Sequence, residues 1–387
     1  MRTCIPIPFA VLAGVLAGVL SASQVLAESE SLAIEEVIVT AQKRAQSLQE
    51  VPIAVSAFDQ RALEEYAFDH IMDVANHVPN LNISTPFAAS NPFISLRGIG
   101  NGGDFNPNID SGVAVHIDDV FLQAPAGRLG QMFDLERLEV LRGPQGTLYG
   151  KNTTGGAINM ISRKPGDEFE ANMTFSAGDY DLLSFEGGVS FPIIQDKLAA
   201  RIAITSNSRD GVAKNLYDGK RVNDIDNQAG RAVVVFTPDD TLTATLTFHM
   251  FENSSTQRIG KGQVLLNESF QYERFPDGQI DLTNAVQDFS GFNGFADDPD
   301  PYRVNVNNDG YEDVETWGTS LTIVKDWERF SLTSVTGYND VEREIYIDFD
   351  FGPNQLGENG VRDEAEHFSQ ELRMTYDNQE NLSAIGG

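Results

Sequence analysis

Two textures of apolar and polar positions divide this chain of 387 residues. From about Glu168 onward, apolar and polar residues alternate with period two, the side-chain spacing of a strand. Leu242, Ala244, Leu246, Phe248 and Met250 share one face, and Thr241, Thr243, Thr245, Thr247 and His249 share the other. Ala171, Met173, Phe175 and Ala177 alternate with Asn172, Thr174 and Ser176 in the same way. The pattern predicts further strands at 183–191, 198–207, 229–237, 316–326, 330–338 and 368–376, with another beginning at Leu382, so eight or nine strands in all. Pro238-Asp239-Asp240 reads as a tight turn, whereas 252–313 reads as a very long polar connection.

The stretch 51–165 has a compact α+β texture. Short helices are predicted at 59–67 and 69–76, the second ended by Pro79. Strands are predicted at 93–100, at 113–120 with a polar break at Asp118-Asp119, and at 138–141. A glycine-rich turn then leads to an apolar segment at 157–161. Ahead of this domain, 28–50 is polar and short of core residues, which predicts a flexible lead. Within it the β-branched run Val37-Ile38-Val39-Thr40 favours an extended strand. A short strand with no partner in its own domain offers an edge to another protein. The alternative is that it begins the next domain.

The first residues read as an export signal at 1–27: Arg2, an apolar stretch at 9–20, and Val25-Leu26-Ala27 at the cleavage site. The apolar stretch is shorter than the ~20 residues of a spanning helix. Cleavage would remove Cys4, the single cysteine, and with it any thiol chemistry. The net charge of −30 excludes nucleic acid as a partner, since that needs a basic footprint. After the signal there is no apolar run long enough for a helical span. That leaves a soluble protein or a β-barrel. A soluble sandwich shows the same alternation, but short turns on one side and long loops on the other suit a membrane barrel.

The run Leu138-Glu-Val-Leu-Arg-Gly-Pro-Gln-Gly-Thr-Leu-Tyr-Gly-Lys-Asn-Thr-Thr-Gly-Gly-Ala-Ile-Asn-Met-Ile-Ser-Arg-Lys-Pro165 closely resembles the end of the plug domain of TonB-dependent outer-membrane receptors. Val51-Pro-Ile-Ala-Val-Ser56, Val78-Pro-Asn-Leu81, Leu96-Arg-Gly-Ile-Gly100 and Ile117-Asp-Asp-Val120 resemble further parts of that domain, in the family's order. The resemblance implies an α+β plug domain at 51–167, followed by an antiparallel transmembrane β-barrel at 168–387. Plugged transporter barrels have ~22 strands, so the chain reads as an N-terminal portion with only the first eight or nine.

The resemblance also implies a function: active uptake of a scarce ligand across the outer membrane. The lead cargo is a ferric siderophore, with carbohydrate or cobalamin as alternatives. A passive surface β-protein for adhesion is the rival of another class. By the same resemblance 34–41 is the TonB box, with Glu36, Val37, Ile38, Val39 and Thr40 as TonB-binding residues. The implied partners are TonB, outer-membrane lipid and a small-molecule ligand, for a monomer without a cofactor that handles at most an Fe(III) chelate as cargo. The loop 101–110 is implied to face the outside, with Phe105, Asn106 and Asn108 against the ligand.

Arg97 and Arg142 each precede a glycine in matching settings. Either guanidinium suits a carboxylate on the inner wall, a lock between plug and barrel. Glu371 is the candidate partner, and pairing of both arginines within the plug is the alternative. The sequence shows no catalytic triad, no nucleotide-binding loop and no metal-ligand spacing. The five histidines read as structural. Asn305, Asn307, Asp309 and Gly310 start a calcium-loop pattern, but Thr316 stands where its closing glutamate belongs.

Overall fold

The computed structural model describes residues 37–68, 70–85, 88–100, 111–257, 259, 300–348, 358–378 and 382–387. The expected export signal, Glu36 and the loop with Phe105, Asn106 and Asn108 lie outside them.

From Val37 the chain is already packed, so 37–50 of the lead expected to be flexible is held, while 28–36 lies outside the described residues. Strand β1 (Ile38–Val39) pairs antiparallel with β2 (Gln46–Ser47). Val39 and Ala41 are fully buried against Leu141 and Ala157. The β-branched run that favours a strand therefore has both a partner and an apolar floor within its own chain.

Strand β3 (Ala54–Asp59) feeds helix α1 (Gln60–Glu65). Asp59 starts that helix by accepting from the backbone N–H of Ala62 at 2.8 Å, the usual role of an aspartate at an N-cap. Helix α2 (Ile71–Val74) buries its two apolar ends. Strands β4 (Leu81–Ser84), β5 (Phe93–Leu96) and β6 (Ile99–Gly100) form a small sheet. Then come β7 (Val113–Ile117), β8 (Val120–Phe121), β9 (Leu135–Arg142), helix α3 (Gly146–Tyr149) and β10 (Gly156–Ser162). The main sheet has the order β3-β9-β10-β7-β8, with β10 parallel to β7 and antiparallel to β9. Its central strands are buried on both faces, one face apolar and the other carrying His116, Glu139 and Asn159 beside Leu141 and Ala157. Ile94, Leu96, Val113, Val115, Leu138, Val140, Ile158 and Met160 make one core.

The glycine-rich turn expected after Leu141 contains α3, and its far end is held by Gly156. That residue has φ +151°, and a Cβ there would lie 2.1 Å from the Leu141 carbonyl oxygen. Only glycine allows β9 and β10 to approach there.

The rest of the chain is chiefly one antiparallel sheet. Its strands are β11 (Glu170–Gly178), β12 (Leu182–Ile194), β13 (Leu198–Arg209), β16 (Ile225–Asp239), β17 (Leu242–Ser255), β19 (Tyr311–Asp326), β20 (Phe330–Asp348), β21 (Glu358–Asp377) and β22 (Ser383–Gly386), nine neighbours in chain order. Short turns at 195–197, 240–241 and 327–329 join one end. The longer connections at the other end carry β14 (Ala213–Asn215), β15 (Arg221–Val222) and β18 (Arg303–Val304), a separate sheet over its own small core of Ala213, Val222, Ile259, Val304 and Val306.

The two faces of the large sheet are inverted relative to a water-soluble protein. On β17, Leu246, Phe248 and Met250 are exposed, while Thr247 and His249 are buried. A sheet that hides threonine and histidine and displays leucine is built for lipid, not water. This separates a barrel wall from a soluble sandwich. Aromatic rings mark both edges of the apolar band: Phe248, Trp317 and Tyr338 at one, with centroids 6.4 and 5.2 Å apart, and Phe330 and Tyr376 at the other, 5.0 Å apart. Phe330 to Tyr338 is roughly 26 Å of strand at ~3.3 Å per residue. At a tilt of ~40° that is about 20 Å along the membrane normal, near the height of a lipid-facing band.

Inward residues of β13, β16, β17, β19, β20 and β21 all touch the α+β domain. The sheet therefore curves around that domain as a wall.

Candidate functional site

The β7–β8 hairpin carries two aspartates at its turn. Asp118 and Asp119 have φ of 47° and 70°, a left-handed pair that aspartate tolerates. Asp118 turns into its own domain and accepts from the Ser162 backbone N–H at 2.9 Å and hydroxyl at 2.7 Å. Asp119 joins two other parts of the chain. Lys43 Nζ donates to its Oδ1 at 2.8 Å, and Arg373 Nη2, on wall strand β21, donates to its Oδ2 at 2.8 Å. Arg373 Nη1 also donates to Glu371 at 2.8 Å, and Glu371 lies 3.8 Å from Lys43 Nζ. Four charges thus alternate in sign where the lead, the α+β domain and the wall meet.

Burial alone would push the Asp119 carboxyl up, but the charges of Lys43 and Arg373 outweigh it and hold it below the usual carboxylate range. His116, on the same hairpin, is neutral: burial and then the charge of Lys43 push it down to about 3. Its ring packs between Phe121 and Tyr149, with centroids 5.5 and 5.3 Å away. Lys43 Nζ sits 4.4 Å over the Tyr149 ring. The Tyr149 hydroxyl donates to the Thr40 carbonyl at 3.3 Å. The Thr40 N–H donates to the buried Glu139 at 2.8 Å. The segment holding Val37, Ile38, Val39 and Thr40 is therefore wired to the wall through Lys43 and Asp119.

Further ties follow along the wall. Arg201, buried on β13, donates from Nε to Asp134 Oδ2 at 2.8 Å and from Nη2 to Asp134 Oδ1. It also donates to the Ser190 hydroxyl at 2.9 Å and to Asn172 Oδ1 at 2.8 Å. Arg231 on β16 donates to the carbonyls of Phe133 at 2.6 Å and Gln131 at 3.1 Å. Glu312 on β19 accepts from the backbone N–H of Ala89 at 2.9 Å and of Ser90. Gly130, at φ +66°, lies so close to Phe251 of β17 that a Cβ would stand 2.0 Å from a ring carbon.

The expected lock of Arg97, Arg142 and Glu371 does not form. Arg97 is exposed at φ 54°. Arg142 is half-buried with its Nε unpartnered. Glu371 is taken by Arg373, because residues two apart on a strand share a face. The polarity is reversed: the cations Arg201, Arg231 and Arg373 stand on the wall, and Asp119 and Asp134 on the inner domain. Glu371-Leu-Arg373 and the Asp118-Asp119 break were the signals in the sequence. Asp309 accepts from Asn215 at 2.8 Å and from Lys220 at 3.1 Å. Among the described residues no group of three or more His, Cys, Asp or Glu could hold a metal ion.

Between the inner domain and the wall lies a cavity of about 660 Å³. Its inner side includes Arg128, Met132 and Phe133, and its wall side Arg209, Asn227 and Asn253. Hydrogen bonds from Ser184 to Asn207 at 2.6 Å and from Asn207 to Asn227 at 3.1 Å run across the strands that line it.

Residues 47–157 match the family described as TonB-dependent Receptor Plug Domain. The α+β domain is a TonB-dependent receptor plug domain. The curated relatives agree. The chain is 28% identical over 174 residues to the iron-regulated outer membrane virulence protein of Vibrio cholerae, covering 44% of this chain and 26% of that one. It is 27% identical over 158 residues to the ferripyoverdine receptor of Pseudomonas aeruginosa, covering 41% and 19%. Among solved structures, the ferric yersiniabactin uptake receptor FyuA from Yersinia pestis superposes with a TM-score of 0.64 at 18% identity, over 84% of this chain and 46% of that one. FpvA of P. aeruginosa superposes with a TM-score of 0.66 at 14% identity, over 90% and 43%. The chain thus spans less than half the length of these receptors. A plug domain and a lipid-facing wall, with outer-membrane proteins as relatives, place this chain in the outer membrane.

Proposed function

We propose that this receptor carries a ferric siderophore across the outer membrane, driven by TonB acting on Glu36, Val37, Ile38, Val39 and Thr40. The observation that carries the reading is the position of Lys43. It lies three residues beyond Thr40 and shares Asp119 with Arg373 of the wall. Tension on the segment withdraws Lys43 from Asp119 and from the Tyr149 face. The carboxylate then keeps one cation instead of two, and the plug is held to β21 less firmly. At rest the ties from Arg201, Arg231 and Glu312 keep the plug in place and block passive flow.

Two relatives, an iron-regulated outer membrane virulence protein and a ferripyoverdine receptor, support iron as cargo. Fe(III) is here the substrate's metal and not a resident cofactor. The test measures the receptor in outer-membrane fractions with and without an iron chelator, together with uptake of radioactive ferric siderophores with and without TonB. A rise under starvation and TonB-dependent uptake are expected. Unchanged levels with TonB-independent uptake overturn the reading.

A further inference from the structure

Two side chains of the run 138–165 hold the main chain of one residue from both ends. Strand β1 uses one edge for β2. The Val37 carbonyl accepts from the Leu48 N–H at 2.9 Å, and Ile38 and Val39 stand in register with Ser47 and Gln46. Main-chain groups alternate sides along a strand, so those of Ile38 and Thr40 face the opposite edge. At Thr40 that edge is already taken. Its N–H donates to Glu139 Oε1 at 2.8 Å, and its hydroxyl to the same oxygen at 3.2 Å. The Tyr149 hydroxyl donates to the Thr40 carbonyl at 3.3 Å.

Both side chains are set for this contact. Glu139 is fully buried on β9, and its second oxygen has no hydrogen-bond partner. Arg137 Nε donates to Oε1 at 2.9 Å, and Arg137 Nη2 to the Thr40 hydroxyl at 3.1 Å. Asn159 Nδ2 donates to the Tyr149 oxygen at 2.8 Å, which leaves the tyrosine's own proton for Thr40. A buried carboxylate is costly unless charge-assisted bonds offset it. Packing alone does not call for one here, since Leu141 and Ala157 bury Val39 and Ala41 with apolar atoms only.

We propose that Glu139 and Tyr149 are positioning residues that form a catch on the main chain of Thr40, competing with an added TonB strand for the same N–H and carbonyl. While the catch is closed, a strand adding to β1 cannot pair at Thr40. Once it opens, Ile38 and Thr40 offer successive pairing sites on one edge, and the pull reaches Lys43. The inference rests on the TonB reading above and adds the step that precedes pairing.

The test uses the purified receptor in detergent, with Val39→Cys as the reporter of opening, because Val39 is fully buried. Maleimide labelling of the reporter is timed alone and combined with Tyr149→Phe, Glu139→Gln or Glu139→Ala. Tyr149→Phe keeps the ring against His116 and beneath Lys43 and removes only the hydroxyl. Each combination should label at least about tenfold faster than the reporter alone. Glu139→Ala should exceed Glu139→Gln, which keeps an acceptor for the Thr40 N–H. A second reporter, Val115→Cys in the other core of the plug, should label at one rate throughout. Without reporters, purified TonB should bind the ligand-free receptor at least about tenfold more tightly in the three variants, a gain that loss of packing does not give. Unchanged labelling at 39 in Tyr149→Phe and Glu139→Gln overturns the catch. So does equal acceleration at 115, which marks general loosening. Faster labelling at 39 alone, with TonB binding unchanged, sinks the TonB reading of the segment and leaves the catch in place, so the two fail separately.

Discussion

Arg373 and Asp119, 254 positions apart in sequence, meet at 2.8 Å across the boundary of wall and plug. Lys43, almost fully buried, depends on the same carboxylate. Asp119→Asn keeps the left-handed turn, since asparagine tolerates it, but removes the charge that both cations share. Breaking a buried pair from one side costs several kcal/mol. Asp119 is partly exposed, so ~3 kcal/mol is expected here. Calorimetry should show the plug unfolding earlier, and cells should become sensitive to large antibiotics that the parent excludes.

Glu371→Lys should loosen the same contact for a reason the sequence did not reveal. Glu371 does not hold Arg97 or Arg142. It lies between Arg373 and Lys43, so a lysine there sets three cations around one Asp119. Leakiness to large antibiotics should match or exceed that of Asp119→Asn. Unchanged exclusion would show that the plug is held elsewhere, chiefly by Arg201.

The Arg201 and Asp134 pair is the more buried tie, with both side chains almost inaccessible. Arg201→Gln should cost roughly 3–5 kcal/mol, because it strands a buried carboxylate. Asp134→Asn suits the φ of 51° at that position. In a double-mutant cycle the pair should be strongly non-additive, with a coupling of about 2–3 kcal/mol. Additive losses would mean that Ser190 and Asn172 hold Arg201 unaided.

The wall was legible because lipid on one side and the plug on the other force alternation along each strand. All nine strands begin or end near their expected places, yet β19, β20 and β21 run well past them. The reason is visible on the outer face. Beyond Trp317 and Tyr338 the outward positions become Asp313, Glu315, Glu342 and Glu344. There the strand leaves lipid, and the apolar half of the pattern stops while the hydrogen-bonded ladder continues. The plug core was legible from its apolar strands. The lock was not, because its polarity depends on which strand faces which hairpin. The arginines of the glycine turns drew attention, while Asp119 looked like an ordinary break in a strand.

Acid should weaken the plug through His116. Its folded pKa of about 3 lies below its ordinary 6.5. The unfolded chain therefore binds a proton in a pH range where the folded chain does not. Stability from this group is fully present above pH 6.5 and is lost as pH falls from there toward 3, at up to ~1.4 kcal/mol per pH unit. His116→Phe keeps the ring contacts to Phe121 and Tyr149 and should flatten the slope over that window. Denaturant midpoints measured between pH 7 and 4 check it. Asp119 adds its own loss from about pH 4 downward, where the unfolded chain's carboxyl takes up a proton that the folded one, held below the ordinary range, does not.

The proposed pulling segment can be tested at Ile38, whose side chain is 46% exposed although its neighbour Val39 is fully buried. Proline at position 38 removes one backbone donor without touching the packing of Val39 and Ala41 on Leu141 and Ala157. If TonB adds a strand to this segment, main-chain hydrogen bonds supply much of the affinity. Ile38→Pro should then cut iron uptake and TonB cross-linking at least tenfold, while the amount of receptor in the outer membrane and its binding of ferric chelates stay at parental levels. Ile38→Ala, which keeps the donor, should retain most of the uptake. Equal uptake by the proline and alanine variants would place the TonB contact elsewhere, and Lys43 would then have no pulled strand to follow.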